Sequence, residues 1–90
     1  KNIADTISLA TKNTESAKVK EIIFRLTKPA YVKLFLKDKD DKVVVAILDH
    51  YFENLGTQTK LLPTNKLAKG IYWIELEVDK TVLKEQILIE

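Results

Sequence analysis

From Gly70 to Val78 the chain alternates without a break. Tyr72, Ile74, Leu76 and Val78 fall on one parity, Ile71, Trp73, Glu75 and Glu77 on the other. Successive side chains point to opposite faces only in an extended strand, so this period of two describes a strand with one apolar and one solvated face. Tyr31 to Lys37 repeats the pattern. Val32, Leu34 and Leu36 share one face, and Tyr31, Lys33, Phe35 and Lys37 share the other. Ile22, Phe24 and Leu26 alternate as well, which favours a strand from about Val19 to Leu26 over a helix from Glu15. The 24 Val, Ile and Thr residues add β-branched weight to the same reading.

Between these runs stand turn signals. Pro29 in Thr27-Lys28-Pro29-Ala30 sets its own φ and pushes Lys28 towards extended backbone. Asp38-Lys39-Asp40-Asp41 is a charged turn, where aspartate accepts a left-handed backbone more readily than most residues. Asp79-Lys80 predicts a tight turn before a return strand from Val82 to Ile89. Val43 to Leu48 is a continuous apolar run and predicts a strand covered on both faces. His50 to Leu55 continues it after a bend, and Gly56 ends that stretch. Thr57 to Leu62 reads as a short strand closed by Pro63, and Thr64 to Lys69 as a connector anchored by Leu67. Ile3 to Leu9 predicts a first strand, and Thr11 to Ser16 a polar loop. Seven or so short antiparallel strands with frequent turns predict one small all-β, immunoglobulin-like β-sandwich over residues 1–90.

Composition narrows the function classes. Ninety residues, 46% of them apolar, suffice for one small core. The absence of cysteine excludes disulfides, thiol catalysis and thiolate metal sites. Fifteen basic against 13 acidic residues, interleaved, with Arg25 the only arginine, argue against nucleic acid. Lys12, Lys18, Lys20, Lys28, Lys33, Lys37 and Lys39 read as solvated lysines that also blunt edge strands. No apolar run approaches the ~18 residues of a membrane span. The chain starts at Lys1 and contains no methionine, which reads as a piece of a longer protein.

No catalytic set is legible. His50 is the only histidine and has no placed partner. Glu75 and Glu77, two apart, read as a solvated face rather than an acid–base pair. The cluster Asp38, Asp40 and Asp41 is interrupted by Lys39 and lacks the glycine and distant glutamate of a calcium loop, so it reads as a hairpin turn. Neither metal nor cofactor is expected. Tyr31, Phe35, Ile71 and Trp73 fall on outward parities. Packing of the outer face accounts for them, and so does recognition of a sugar or a protein.

Two segments carry a resemblance. The first is Ile23-Phe24-Arg25-Leu26-Thr27-Lys28-Pro29-Ala30-Tyr31-Val32-Lys33-Leu34-Phe35-Leu36, followed by Asp38, Lys42 and Val44 in a turn. The second is Leu67-Ala68-Lys69-Gly70-Ile71-Tyr72, a Leu-x-x-Gly-x-Tyr pattern, with the final run Leu83 to Glu90 carrying Lys84. From Ile22 to Glu90 the chain resembles the C-terminal sorting domain of the type IX secretion system of Bacteroidetes. It is also similar to the immunoglobulin-like domain of flagellar hook-capping proteins. Lys37, Asp41 and Gln86 depart from the sorting pattern, which has an aromatic, a glycine and a lysine there. The resemblance implies a non-catalytic signal domain attached to an upstream cargo domain. Such a tail passes through the periplasm, meets an outer-membrane translocon and a surface protease, and brings its cargo to the cell surface or beyond. Under it, Leu67, Gly70, Tyr72 and Lys84 are motif residues, and Tyr31, Phe35 and Trp73 are the expected recognition face. An accessory immunoglobulin-like module of a surface enzyme or appendage, binding glycan or protein, is the alternative expectation. On the physics alone, Gly70 supplies an unusual φ where a loop enters a strand, and Tyr72 buries its ring and seeks a partner for its hydroxyl.

Overall fold

The computed structural model describes residues 7–13 and 18–90. Among the described residues seven strands run in chain order: β1 (Ser8–Asn13), β2 (Val19–Leu26), β3 (Ala30–Lys37), β4 (Val43–Glu53), β5 (Gly56–Pro63), β6 (Gly70–Val78) and β7 (Thr81–Ile89). They form two antiparallel sheets, β1-β2-β5 and β4-β3-β6-β7. The chain changes sheet between β2 and β3, between β4 and β5, and again between β5 and β6. That connectivity produces the expected antiparallel β-sandwich, with β4 placed beside β3.

The alternating parities meet between the sheets. Ile22, Phe24 and Leu26 of β2 and Leu62 of β5 face Val32, Leu34 and Leu36 of β3, Tyr72, Ile74, Leu76 and Val78 of β6, and Ile87 and Ile89 of β7. Phe24, Ile22, Leu34, Leu36, Ile74 and Leu76 are fully buried. At about 1.5–3 kcal/mol for each large side chain taken out of water, this layer is the main favourable term in folding.

Three expectations are corrected. β1 spans Ser8–Asn13, so Thr11 to Asn13 belong to a strand and not to the expected polar loop. Their backbone groups are paired along β2, with Thr11 opposite Ile22 and Asn13 opposite Lys20, and that pairing overrides their polar character. Residues 3–6 of the expected first strand and residues 14–16 of the expected loop lie outside the described residues. β5 opens at Gly56, where an end to the preceding stretch was expected, and Gly56 takes φ +106 there.

The largest correction concerns Val43 to Leu48. This run is not covered on both faces. It opens β4, an edge strand, with Val43 and Val44 exposed at 50% and 42%. Only Val45, Ile47 and Leu48 pack against the core, each partly buried. The reason lies in the register. Lys37 pairs with Val43, but Leu36 pairs with Val45, Leu34 with Leu48 and Val32 with Tyr51. Three irregularities each insert a residue on β4, and each slip reverses the parity of the residues beyond it.

The two open sides of the sandwich are closed differently. On one side β1 lies against β7. On the other, Lys60 Nζ of β5 reaches Glu53 Oε2 of β4 at 3.0 Å. Glu53 is buried, pointing inward at the end of an edge strand, and the ammonium meets it as a charge rather than through a directional hydrogen bond. An inward charge of this kind also discourages a foreign strand from adding at the edge.

Candidate functional site

The Leu67–Tyr72 motif is built where the chain enters β6. Thr64 is buried. Its N–H donates to Lys18 O at 2.7 Å, and its carbonyl accepts from Leu67 N at 3.1 Å. Leu67 is thereby turned onto the core, which it packs against partly buried. Gly70 adopts φ +147, and a Cβ there would meet nothing within 4 Å, so the requirement for glycine is conformational and not steric. Two residues later Tyr72 buries its ring, and its hydroxyl donates to Ala68 O at 2.7 Å. A tyrosine near the start of this strand, bonded back to the backbone upstream, is the tyrosine corner of immunoglobulin-like sandwiches. Every residue of the pattern therefore has a local structural task.

The outer face of the four-stranded sheet holds the expected recognition residues, but it does not gather them. Lys37 pairs with Trp73 and Phe35 with Glu75 across β3 and β6, so Phe35 and Trp73 are diagonal neighbours, both partly buried. Tyr31 lies six residues from Lys37 on the same strand, about 20 Å at ~3.3 Å per residue. Lys33 and the Phe35–Glu75 row stand between.

Phe35 and Trp73 flank an ion pair. Lys37 Nζ is 2.9 Å from Glu75 Oε1, and Asp41 Oδ1 stands 3.5 Å from the same ammonium. Lys84 of β7 approaches Glu75 at 3.9 Å from the other side. The Lys37 and Glu75 side chains are only 16% and 13% exposed, so Glu75 does not belong to the solvated face expected of it. Its cross-strand neighbours cover it. The Glu75 carboxylate beside it raises the Lys37 pKa, burial opposes that rise, and the Asp41 charge adds to it. Lys84, the remaining motif residue, is half-exposed and takes a secondary place in this pair.

The Asp38–Asp41 turn uses its carboxylate on itself. Asp38 Oδ1 accepts from Asp40 N at 2.8 Å and Lys42 N at 3.0 Å, while Asp41 takes φ +66. Asp38 is a turn acceptor here. Among the described residues no three His, Asp or Glu side chains stand together as a metal site. A cleft is lined by Ile7, Leu26, Thr27, Lys28, Val78, Asp79 and Thr81.

At the end of β3 and β4 the structure assembles a cluster that sequence reasoning missed. Tyr31 pairs with Phe52, their rings in an edge contact at 5.2 Å and 66°. His50 stacks on Tyr31 with centroids 4.5 Å apart and planes 6° from parallel. His50 takes φ +56, a left-handed conformation costly for a residue with a Cβ. It lies between the β4 residues that pair with Leu34 and Val32, at one of the bulges. Tyr31 and Phe52 remain 53% and 51% exposed. Next in the chain, Tyr51 turns towards the open side, where Lys60 Nζ lies 5.8 Å from its ring centroid. Counting back from the Asp38–Asp41 turn places Asp49, not Phe52, opposite Tyr31. The three inserted residues hid the cluster.

No family model matches the chain, and no match is found among curated proteins or solved structures.

Proposed function

We propose that this chain is a non-catalytic sorting domain, a folded signal that directs an attached cargo domain across an outer membrane to the cell surface. The observation that supports this reading most is the placement of the motif residues. Leu67, Gly70 and Tyr72 form one corner at the entry to β6, and Lys84 lies across from Glu75 on the neighbouring strand. Because the domain folds into a sandwich, a receptor reads it as a surface. The partners in this reading are the outer-membrane translocon, a surface protease and the upstream cargo. The test is a fusion of residues 1–90 to an inert periplasmic reporter, expressed in a type IX-competent strain and in one lacking the translocon. Surface or medium reporter in the first strain alone is the expected result. Reporter held in the periplasm of both, with the domain folded, overturns the reading.

A second reading has its own support. The exposed Tyr31–His50–Phe52 cluster favours an accessory immunoglobulin-like binding module, since contiguous exposed rings are the unusual feature of a soluble surface.

A further inference from the structure

We infer that the outer edge of β5 is an interface for a second copy of this chain, and that the two copies pair antiparallel about Thr59. β5 is an outermost strand of the three-stranded sheet, and among the described residues no strand pairs with its far side. Which backbone groups that side carries follows from one hydrogen bond. Val19 stands opposite Pro63, so Lys18 stands opposite Thr64. Thr64 N–H donates to Lys18 O at 2.7 Å, which makes that position a hydrogen-bonded pair of the ladder. Such pairs recur at every second residue, and the register runs without a shift from Pro63 to Gly56. Leu62, Lys60 and Gln58 therefore turn their backbone groups to β2. The N–H and C=O groups of Thr57, Thr59 and Leu61 point away from it, where another strand can meet them. Pro63, which has no N–H, falls on the same outward parity, the place where a sheet tolerates proline.

The other edges differ. β4 is shifted three times against β3, and each shift breaks the alternation that a partner strand must match. β1 and β7 lie against each other. On β5 the residue type that ordinarily keeps strands away is Lys60, and its ammonium is drawn to Glu53 at 3.0 Å. The occupant is set by the strand's own register. An antiparallel copy centred on Thr59 places Thr59 opposite its counterpart, Thr57 opposite Leu61 and Gln58 opposite Lys60. Each outward residue of the two strands then exchanges both its hydrogen bonds. Leu61, 60% exposed, gains a threonine neighbour, and threonine opposite threonine is a favourable cross-strand pair. Centring on Lys60 instead sets two lysines opposite each other. Centring on Leu61 puts Pro63 opposite Thr59, so one carbonyl loses its donor. Centring on Gln58 or Thr57 carries Leu61 beyond Gly56, the start of β5. A contact of one surface with itself closes on two copies, and here it joins two three-stranded sheets into one.

The test is sedimentation equilibrium of the 90-residue chain from about 10 µM to about 1 mM, the span in which a contact smaller than a standard interface associates. The mean mass should rise from that of one chain towards that of two and no further. Thr59→Pro removes an outward N–H and no bond to β2. It should keep the circular dichroism spectrum and the urea midpoint while weakening dimerisation by about tenfold or more. Thr59→Lys and Thr59→Glu each set like charges face to face at the two-fold axis. Each alone should lose the dimer by a similar factor, and an equimolar mixture of the two should recover it. Recovery of that kind reports Thr59 facing Thr59 and excludes misfolding as the cause of the loss. Phe52→Ala, at the exposed aromatic cluster of the other sheet, should leave the mass unchanged. A mean mass of one chain at about 1 mM overturns the proposal. So does a dimer that survives Thr59→Pro and both charged variants, a mixture that fails to recover, or a dimer lost in folded Phe52→Ala.

Discussion

Tyr72 carries two jobs in one side chain. Its ring fills the core, and its hydroxyl satisfies Ala68 O at 2.7 Å, which closes the loop before β6. Tyr72→Phe keeps the ring and strands the carbonyl, so chemical unfolding should show a loss of about 1–2 kcal/mol with an unchanged slope. Gly70→Ala should cost about 1 kcal/mol or more in the same assay, although no atom obstructs the added methyl, because φ +147 is the obstacle. Unchanged stability in both would show that the corner is not formed. These values give the motif a meaning of its own: a tyrosine corner is recognisable in sequence because it is a folding device. That task was legible in advance at Gly70 and Tyr72, where a loop meets an unbroken alternation. His50 was not legible, because its neighbours are set by bulges that leave no mark in residue type.

At the scale of strands, β3 and β6 could be read directly, and β4 could not. Alternation reports parity relative to a single buried face, and β3 and β6 each have one. An apolar run reports nothing about which strand lies outermost. Val43 to Leu48 has the composition of a central strand and the position of an edge. Val44→Lys should therefore alter stability by no more than about 0.5 kcal/mol, whereas Leu34→Ala, on the neighbouring strand, should cost about 2–5 kcal/mol. Equal losses would return β4 to the interior. The Lys37–Glu75 pair was equally hidden, since it depends on which strands are neighbours. Its consequence is a pH dependence. With its pKa raised in the fold, Lys37 holds its proton more tightly there than in the unfolded chain. That contribution is complete below the ordinary lysine value of 10.5 and is lost as pH rises through the higher folded value. Urea midpoints should fall across this alkaline window in the native chain and fall less in Glu75→Gln. Parallel curves would show that the pair contributes nothing.

The whole molecule is a thin sandwich whose stability margin at this size is about 5–13 kcal/mol. A signal read as a surface requires that margin to hold. Export of the reporter fusion should therefore track folding: Leu34→Ala should lower it in proportion to the unfolded fraction, while Val44→Lys should leave it intact. Export that continues with an unfolded domain would point to a linear signal instead. The antiparallel architecture itself was legible from turn spacing and parity. The division into three and four strands was not, because it depends on where the chain crosses between sheets.

The pairing of β3 with β6 joins Val32 to Val78 and Lys37 to Trp73 across the middle of the chain. Between them lie β4, β5 and both crossings. The β6–β7 hairpin closes over two residues and forms on the microsecond scale, but the central pair must wait for the long loop to close. Sandwiches dominated by such distant partners fold in about milliseconds to seconds. Under the sorting proposal, a passenger of this kind stays threadable while it leaves one compartment and becomes a rigid body in the next, with the delay written into the order of its strands.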